Sequence, residues 1–408
     1  MAARLGVLGR ATGGEAEWFP VPMRRKLLRR VRAARASKTM PELPTRQDVL
    51  PVAETLLIAA AGGIAFTLVG VPAGLVSGSV LAVATAALAR RPMRVPLWLA
   101  RVCFVLIGML LGAVVTPETL AGITTWPASV ALLTVSTLCM TVATTCYLRF
   151  AHGWDPLSAL LGASPGAMAQ VVALAAEFDA DMRGVAIVQT MRVLVVTIGV
   201  PGGLALFGFA AGGVIVVPGP AGGSSLVELA MIAIVSSLTA FAMGRLRVPG
   251  GLLFGAMAGS AVLHGTGYVH AVLPWWVGSS AVVMLGAVVG SRFANATPRM
   301  LLDHVGAALG SAAVAIAVAS VFVLIVAHFL PFRPADVAIA FAPGAQDTMM
   351  VLALALHLDP VYVGAHQLAR WLVVTFSVAL SARWLARRKI ALQESGPRRR
   401  PKQGPHDR

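Results

Sequence analysis

Ser164-Pro165-Gly166-Ala167, closing at Gln189-Thr190-Met191-Arg192, is written a second time as Ala342-Pro343-Gly344-Ala345, closing at Gln367-Leu368-Ala369-Arg370. The displacement is 178 residues, and Asp181 and Asp359 keep it without a gap. Working outward, Val71-Pro72-Ala73-Gly74-Leu75 with Gly78 returns as Val248-Pro249-Gly250-Gly251-Leu252 with Gly255, and the pair Gly108/Gly112 returns as Gly286/Gly290. The chain is therefore a duplication of a unit of roughly 150 residues, each copy carrying a helix-breaking Pro-Gly inside apolar sequence.

The solvent follows from composition. Hydrophobic residues make up 57% of the 408 residues and charged residues 12%, with a mean hydropathy of +0.80. A water-soluble domain has no way to hide that much apolar surface, whereas a bilayer core accepts it in segments of about 20 residues. The expected fold class is all-α, a polytopic membrane protein. Of 33 Lys and Arg, 11 fall in residues 1–49 and nine in 383–408, so the net charge of +16 sits mostly at the two ends. Both ends flank membrane segments, which points to cytoplasmic retention and anionic headgroups, with no nucleic acid expected as a partner.

Cys103, Cys139 and Cys146 all lie in apolar runs and read as small core residues. The eight histidines form no ligand-spaced pair, so no metal and no cofactor is expected. Met23 to Val31 could lie on the membrane as a short amphipathic helix. The alternatives are a disordered extension, or an upstream start codon with Met23 or Met40 as the true first residue. Residues 386–408 read as a basic, disordered tail.

Apolar runs place spans at about 52–70, 71–89, 96–115, 126–148, 155–177 and 184–206, then at about 227–244, 250–265, 273–291, 302–327, 334–356 and 360–384. The domains are thus a cytoplasmic arm (1–49), a first membrane repeat (50–206), a Gly/Pro-rich linker (207–226), a second repeat (227–385) and the tail (386–408). Arg90, Arg91, Arg94, Arg149, Arg245, Arg247, Arg292 and Arg299 mark cytoplasmic loops, while 116–125, 207–226 and 265–272 carry no Lys or Arg. Six crossings per half would return the uncharged linker to the basic side. Five crossings plus one re-entrant or broken element per half remove that conflict and invert the second half. Arg333 alone dissents. Both termini then lie in the cytoplasm, beneath the bacterial inner membrane.

A Pro-Gly within a membrane segment frees backbone N–H and C=O groups that must be buried in protein or face water. Two such breaks from opposed halves can build one midplane site, as in secondary transporters; a pair of simple kinks is the alternative. Around the first break the candidate residues are Ser164, Pro165, Gly166, Ala167 and Gln170, with Gln189 and Arg192 downstream. Around the second they are Pro343, Gly344, Ala345, Gln346, Asp347 and Thr348, with His366, Gln367 and Arg370 downstream. A carboxylate at depth points to proton or cation coupling, and Asp347 has Ala169 as its counterpart, so the acid occurs once. Arg192 and Arg370 are expected to pair with the opposite half's break or an anionic solute, and an Arg192–Asp347 contact is the favoured pairing. Snorkelling to an interface competes with it. His366 reads equally as a satisfied core histidine. Asp181 and Asp359 are expected as helix N-caps, and the glycine pairs as close helix contacts.

At these motifs the chain resembles the AbrB family of bacterial membrane proteins, over roughly 52–385. In that family each half carries a Pro-Gly-Gly-type turn and, downstream, a Gln or His beside a buried Arg. The matching residues are Pro165-Gly166-Ala167 with Gln189 and Arg192, and Pro343-Gly344-Ala345 with His366 and Arg370. Ala replaces the second Gly in both copies, and Gln170 and Thr348 stand where a Glu is common. Members carry two labels, ammonia monooxygenase and AbrB-type regulator of gene expression. The resemblance extends distantly to cation/proton antiporters and anion transporters. It implies a non-enzymatic membrane protein whose partners are the lipid bilayer and a small-molecule or ion substrate, with a homodimer admitted. The competing reading is a membrane-embedded regulator.

Overall fold

The computed structural model describes residues 46–115, 123–165, 171, 174, 175, 178, 180–208, 225–246, 248 and 250–394. Most of the basic arm, the linker and the tail, together with Gly166, Ala167 and Gln170, lie outside those residues. Residues 51–408 form one compact unit, and of the separate unit 1–50 only the first turns of a helix are described.

The first half runs α1 (Arg46–Leu68), α2 (Gly74–Leu88), α3 (Leu97–Gly112), α4 (Pro127–His152), α5 (Pro156–Ala163) and α6 (Met182–Leu206). The second runs α7 (Leu226–Arg245), α8 (Gly251–Gly265), α9 (Trp275–Gly290), α10 (Pro298–Phe329), α11 (Pro334–Phe341), α12 (Gln346–Ala355) and α13 (Pro360–Glu394). Helix starts follow the sequence. Pro opens α4, α5, α10 and α11, where its missing N–H costs nothing, and Asp155, Asp181 and Thr297 accept from first-turn amides. Asp359 does the same for α13 through Val361 N and Tyr362 N, so both Asp residues are caps as expected.

Among the described residues seven helices are long and apolar enough to cross a bilayer, and α2, α3 and α8 are shorter apolar helices. Leu57, Ile64, Leu238, Leu324 and Phe376 stand exposed on the outside, which is stable only against hydrocarbon. The chain is an all-α polytopic membrane protein.

The Val-Pro-x-Gly turn does the same work in both halves. Ala73 and Gly250 adopt the left-handed region at the N-caps of α2 and α8, with φ of 50° and 63°. The turn folds α2 back along α1 and α8 back along α7. A Cβ on Gly78 would lie 2.7 Å from Phe66 Cβ, and one on Gly255 would lie 2.6 Å from the Thr239 carbonyl oxygen. Glycine is what lets these backbones approach.

The halves then interlock. The glycine pair of α3 packs on α8, where a Cβ on Gly108 would lie 2.5 Å from Leu253 O and one on Gly112 2.5 Å from Met257 O. The pair of α9 packs on α2, with Gly286 against Ser79 and Gly290 against Val80 and Val83. The matching helices α3 and α9 also meet. The Cys103 thiol donates to the carbonyl of Ala281 at 3.3 Å, a pair 178 residues apart. A Cβ on Gly278 would lie 3.3 Å from the end of Leu110. Numbering rises along one helix as it falls along the other, so α3 and α9 cross antiparallel.

The apolar run 334–356 resolves into α11 and α12, separated by Ala342–Ala345. Two expectations need correction. Only Cys103 is buried; Cys139 and Cys146 are exposed, because their seven-residue spacing puts them on the outward face of α4. And α13 runs on to Glu394, past the expected end near 384.

Candidate functional site at the helix breaks

A short helix ending inside a membrane protein leaves its last carbonyls without partners, and each buried orphan costs about 1–3 kcal/mol. The repeated Gln and Arg answer that need. In the first half Gln189 Nε2 donates to Leu161 O at 2.8 Å. Arg192 donates to Gly162 O at 3.4 Å, Ala163 O at 3.0 Å and Ser164 O at 2.8 Å. Four consecutive carbonyls at the end of α5 are thereby satisfied. In the second half Gln367 Nε2 lies 3.4 Å from Ile339 O and 3.5 Å from Ala340 O. Arg370 donates to Ala340 O at 2.8 Å and also to Ala342 O. A cation there also meets the negative end of the helix dipole. Arg192 and Arg370 are 1% exposed, so neither snorkels to an interface.

The expected Arg192–Asp347 contact is not formed. Each arginine turns to the break of its own half, because those carbonyls point at it. Asp347 instead meets Arg292 at 3.6 Å, and its Oδ1 accepts from Thr348 N at 3.0 Å. Arg292 comes from the 3₁₀ turn Ser291–Asn295 that follows α9.

A cavity of about 800 Å³ brings Gln189 and Arg192 together with Pro343, Gly344, Ala345, Gln346 and Asp347. Gln346 is held by its side-chain amide on Gln367 O at 3.0 Å. Apolar walls come from Phe104, Val193, Phe241 and Leu252 to Phe254, and three further cations line the space: Arg101, Arg245 and Arg292. The N-terminus of α12 opens there without a side-chain cap.

Other candidates lie elsewhere. Ser164 and Pro165 are buried, the Ser164 hydroxyl bonding Leu160 O at 2.7 Å. Thr348 is buried, and its hydroxyl has no partner among the described residues. Gln367 and Arg370 serve the end of α11 and do not line the cavity. His366 is 0% exposed, with Nδ1 2.8 Å from Tyr362 O and Nε2 2.8 Å from the Ser129 hydroxyl. Tyr362, Trp126 and Phe341 surround it. That is a satisfied core histidine. Among the described residues no three His, Cys, Asp or Glu side chains converge as a metal site.

Sequence reading missed Arg101, Arg245 and Arg292 as cavity residues. Arg245 and Arg292 entered only as loop charges that orient the chain. Arg101 did carry a signal, being the one charge in the apolar run Leu97–Gly112.

Seven membrane-length helices, a duplicated pattern of short helices that stop at a Pro-Gly, and buried arginines closing those stops define an integral-membrane protein with interrupted helices. The family model described as "Transition state regulatory protein AbrB" matches residues 75–386, and the chain belongs to that AbrB family. Two relatives match more than three quarters of the chain. An "Uncharacterized protein YhjN" of Bacillus subtilis (strain 168) is 26% identical over 347 residues, 78% of this chain and 89% of the relative. A "Putative regulator AbrB" of Escherichia coli (strain K12) is 26% identical over 343 residues, 79% and 92%.

Proposed function

We propose that this protein is a secondary transporter of a small polar or ionic solute, bound where the Ala342–Ala345 break and α6 enclose the cavity. The observation that carries the reading is that the second break, Pro343-Gly344-Ala345, opens onto a space of about 800 Å³ with apolar walls and convergent polar groups, within the 300–1,000 Å³ or so usual for small-molecule sites. The antiparallel crossing of α3 and α9 supports an inverted repeat, since a two-fold axis in the membrane plane reverses one half. Among the described residues the second half has five continuous helices and the interrupted pair α11–α12, and the first half has five continuous helices and the short α5, which fit the same plan. Loop charges favour cytoplasmic termini at the bacterial inner membrane. Arg245 and Arg292 would then sit on that side, and the cavity would face inward. The chain binds and moves its solute without covalent chemistry.

Reconstitution in proteoliposomes tests this. Purified protein should exchange labelled solute across a sealed bilayer, and Gln346→Ala should slow exchange without loss of folded protein. Absence of exchange for every solute that binds would overturn the reading.

A second reading, a membrane-embedded regulator of gene expression, is favoured by the printed name of the Escherichia coli relative and by the basic ends. A chain lacking residues 1–49 and 386–408 separates the two. A transporter keeps its flux, whereas a regulator working through its ends loses its effect.

A further inference from the structure

We propose that the solute is a small anion with at least two negative charges, gripped by Arg101, Arg192, Arg245 and Arg292. The proposal deepens the transport reading and rests on it for flux, though not for binding.

The four arginines come from four separate elements, α3, α6, the end of α7 and the 3₁₀ turn after α9, and line one concave space. Among the described residues that line the cavity, Asp347 is the one carboxylate facing them. Arg292 takes Asp347; Arg101 has no ion pair among the described residues, and Arg245 lies over the Phe241 ring at 4.5 Å. Arg192 is buried, yet its Nε has no hydrogen-bond partner among the described residues. The start of α12, without a side-chain cap at Ala345, brings the positive end of its dipole to the same place, partly offset by Asp347 in its first turn. Surplus positive charge between apolar walls raises the potential of the cavity, because low-dielectric surfaces focus field lines. A cation is repelled there and a dianion is drawn in.

The Arg292–Asp347 separation points the same way. At 3.6 Å it is longer than the roughly 2.7–2.9 Å of a tight charge-assisted bond. Carboxylate and phosphate oxygens match the planar guanidinium fork in a bidentate way. An incoming anion can therefore take Arg292 in better geometry than Asp347 does, with Asp347 as the counter-charge that holds the empty site.

Thermal unfolding of the purified full chain in detergent, at constant ionic strength, tests the proposal with sodium phosphate, sodium sulfate and disodium succinate against ammonium chloride. At least one dianion is expected to raise the midpoint with saturation, and ammonium to leave it unchanged. Arg101→Gln and Arg245→Gln, both exposed and outside the helix-end bonding, should each weaken that anion about tenfold. Arg149→Gln, exposed and outside the cavity, should not. Stabilisation by ammonium alone, by no dianion, or equally in the Arg101→Gln/Arg245→Gln double variant overturns the proposal. Proteoliposome flux separates the two layers. A dianion that binds through these arginines without crossing defeats transport and leaves the anion site standing. Ammonium flux without anion binding does the reverse.

Discussion

Arg192 reaches back 28 residues to the carbonyl of Ser164 at 2.8 Å, and 178 residues later Arg370 reaches back the same 28 to Ala342. The guanidinium is therefore part of each interrupted helix as much as part of any pocket. Its planar fork bridges several carbonyls, which a lysine ammonium on a flexible stem does poorly. Arg192→Leu and Arg370→Leu should each lose about 3 kcal/mol or more, through several orphaned carbonyls at about 1–3 kcal/mol apiece. Arg192→Lys should recover part of that. Detergent melting curves check both; a neutral Arg192→Leu would refute the closing role.

Asp347→Asn is expected to change stability by less than about 1 kcal/mol, because its ion pair with Arg292 is partly open to solvent. It should tighten anion binding severalfold by releasing Arg292. Titration calorimetry with the stabilising dianion reads this directly, and weaker binding would contradict the counter-charge role.

Glycine positions separate two kinds of contact. Gly108→Ala puts a methyl group 2.5 Å from a backbone oxygen of α8 and should cost about 1–3 kcal/mol. On α6 a Cβ at Gly199 meets nothing within 4 Å. Gly199→Ala should therefore be neutral or gain up to about 1 kcal/mol from helix propensity. Paired melting curves test the contrast.

The native cysteines give a labelling pattern. A hydrophobic maleimide should modify Cys139 and Cys146 on the outward face of α4 in the folded protein and spare buried Cys103. Mass spectrometry before and after unfolding would show three modified thiols only in the unfolded chain.

The break at Ala342–Ala345 was legible because Pro and Gly report backbone conformation directly, whatever surrounds them. So were the Asp181 and Asp359 caps, whose partners lie within three residues. Side-chain direction was not. Charge alone pairs Arg192 with Asp347, whereas the end of α5 offers it three carbonyl acceptors, Gly162, Ala163 and Ser164. Arg101 and Arg245 were hidden for another reason. The charge bias that orients a membrane chain also puts arginines around a cavity, and a single sequence does not separate the two uses. Cys139 and Cys146 show that apolar surroundings in a membrane helix do not distinguish protein interior from lipid.

The exchange of glycine faces, α3 onto α8 and α9 onto α2, means neither half owns a finished interior. An undoubled ancestor would have left the Gly108 and Gly112 notch open to lipid unless a second copy, threaded the opposite way, came to fill it. The second half carries Asp347 where the first has Ala169, so the two copies, alike in how they pack, are no longer interchangeable at the break.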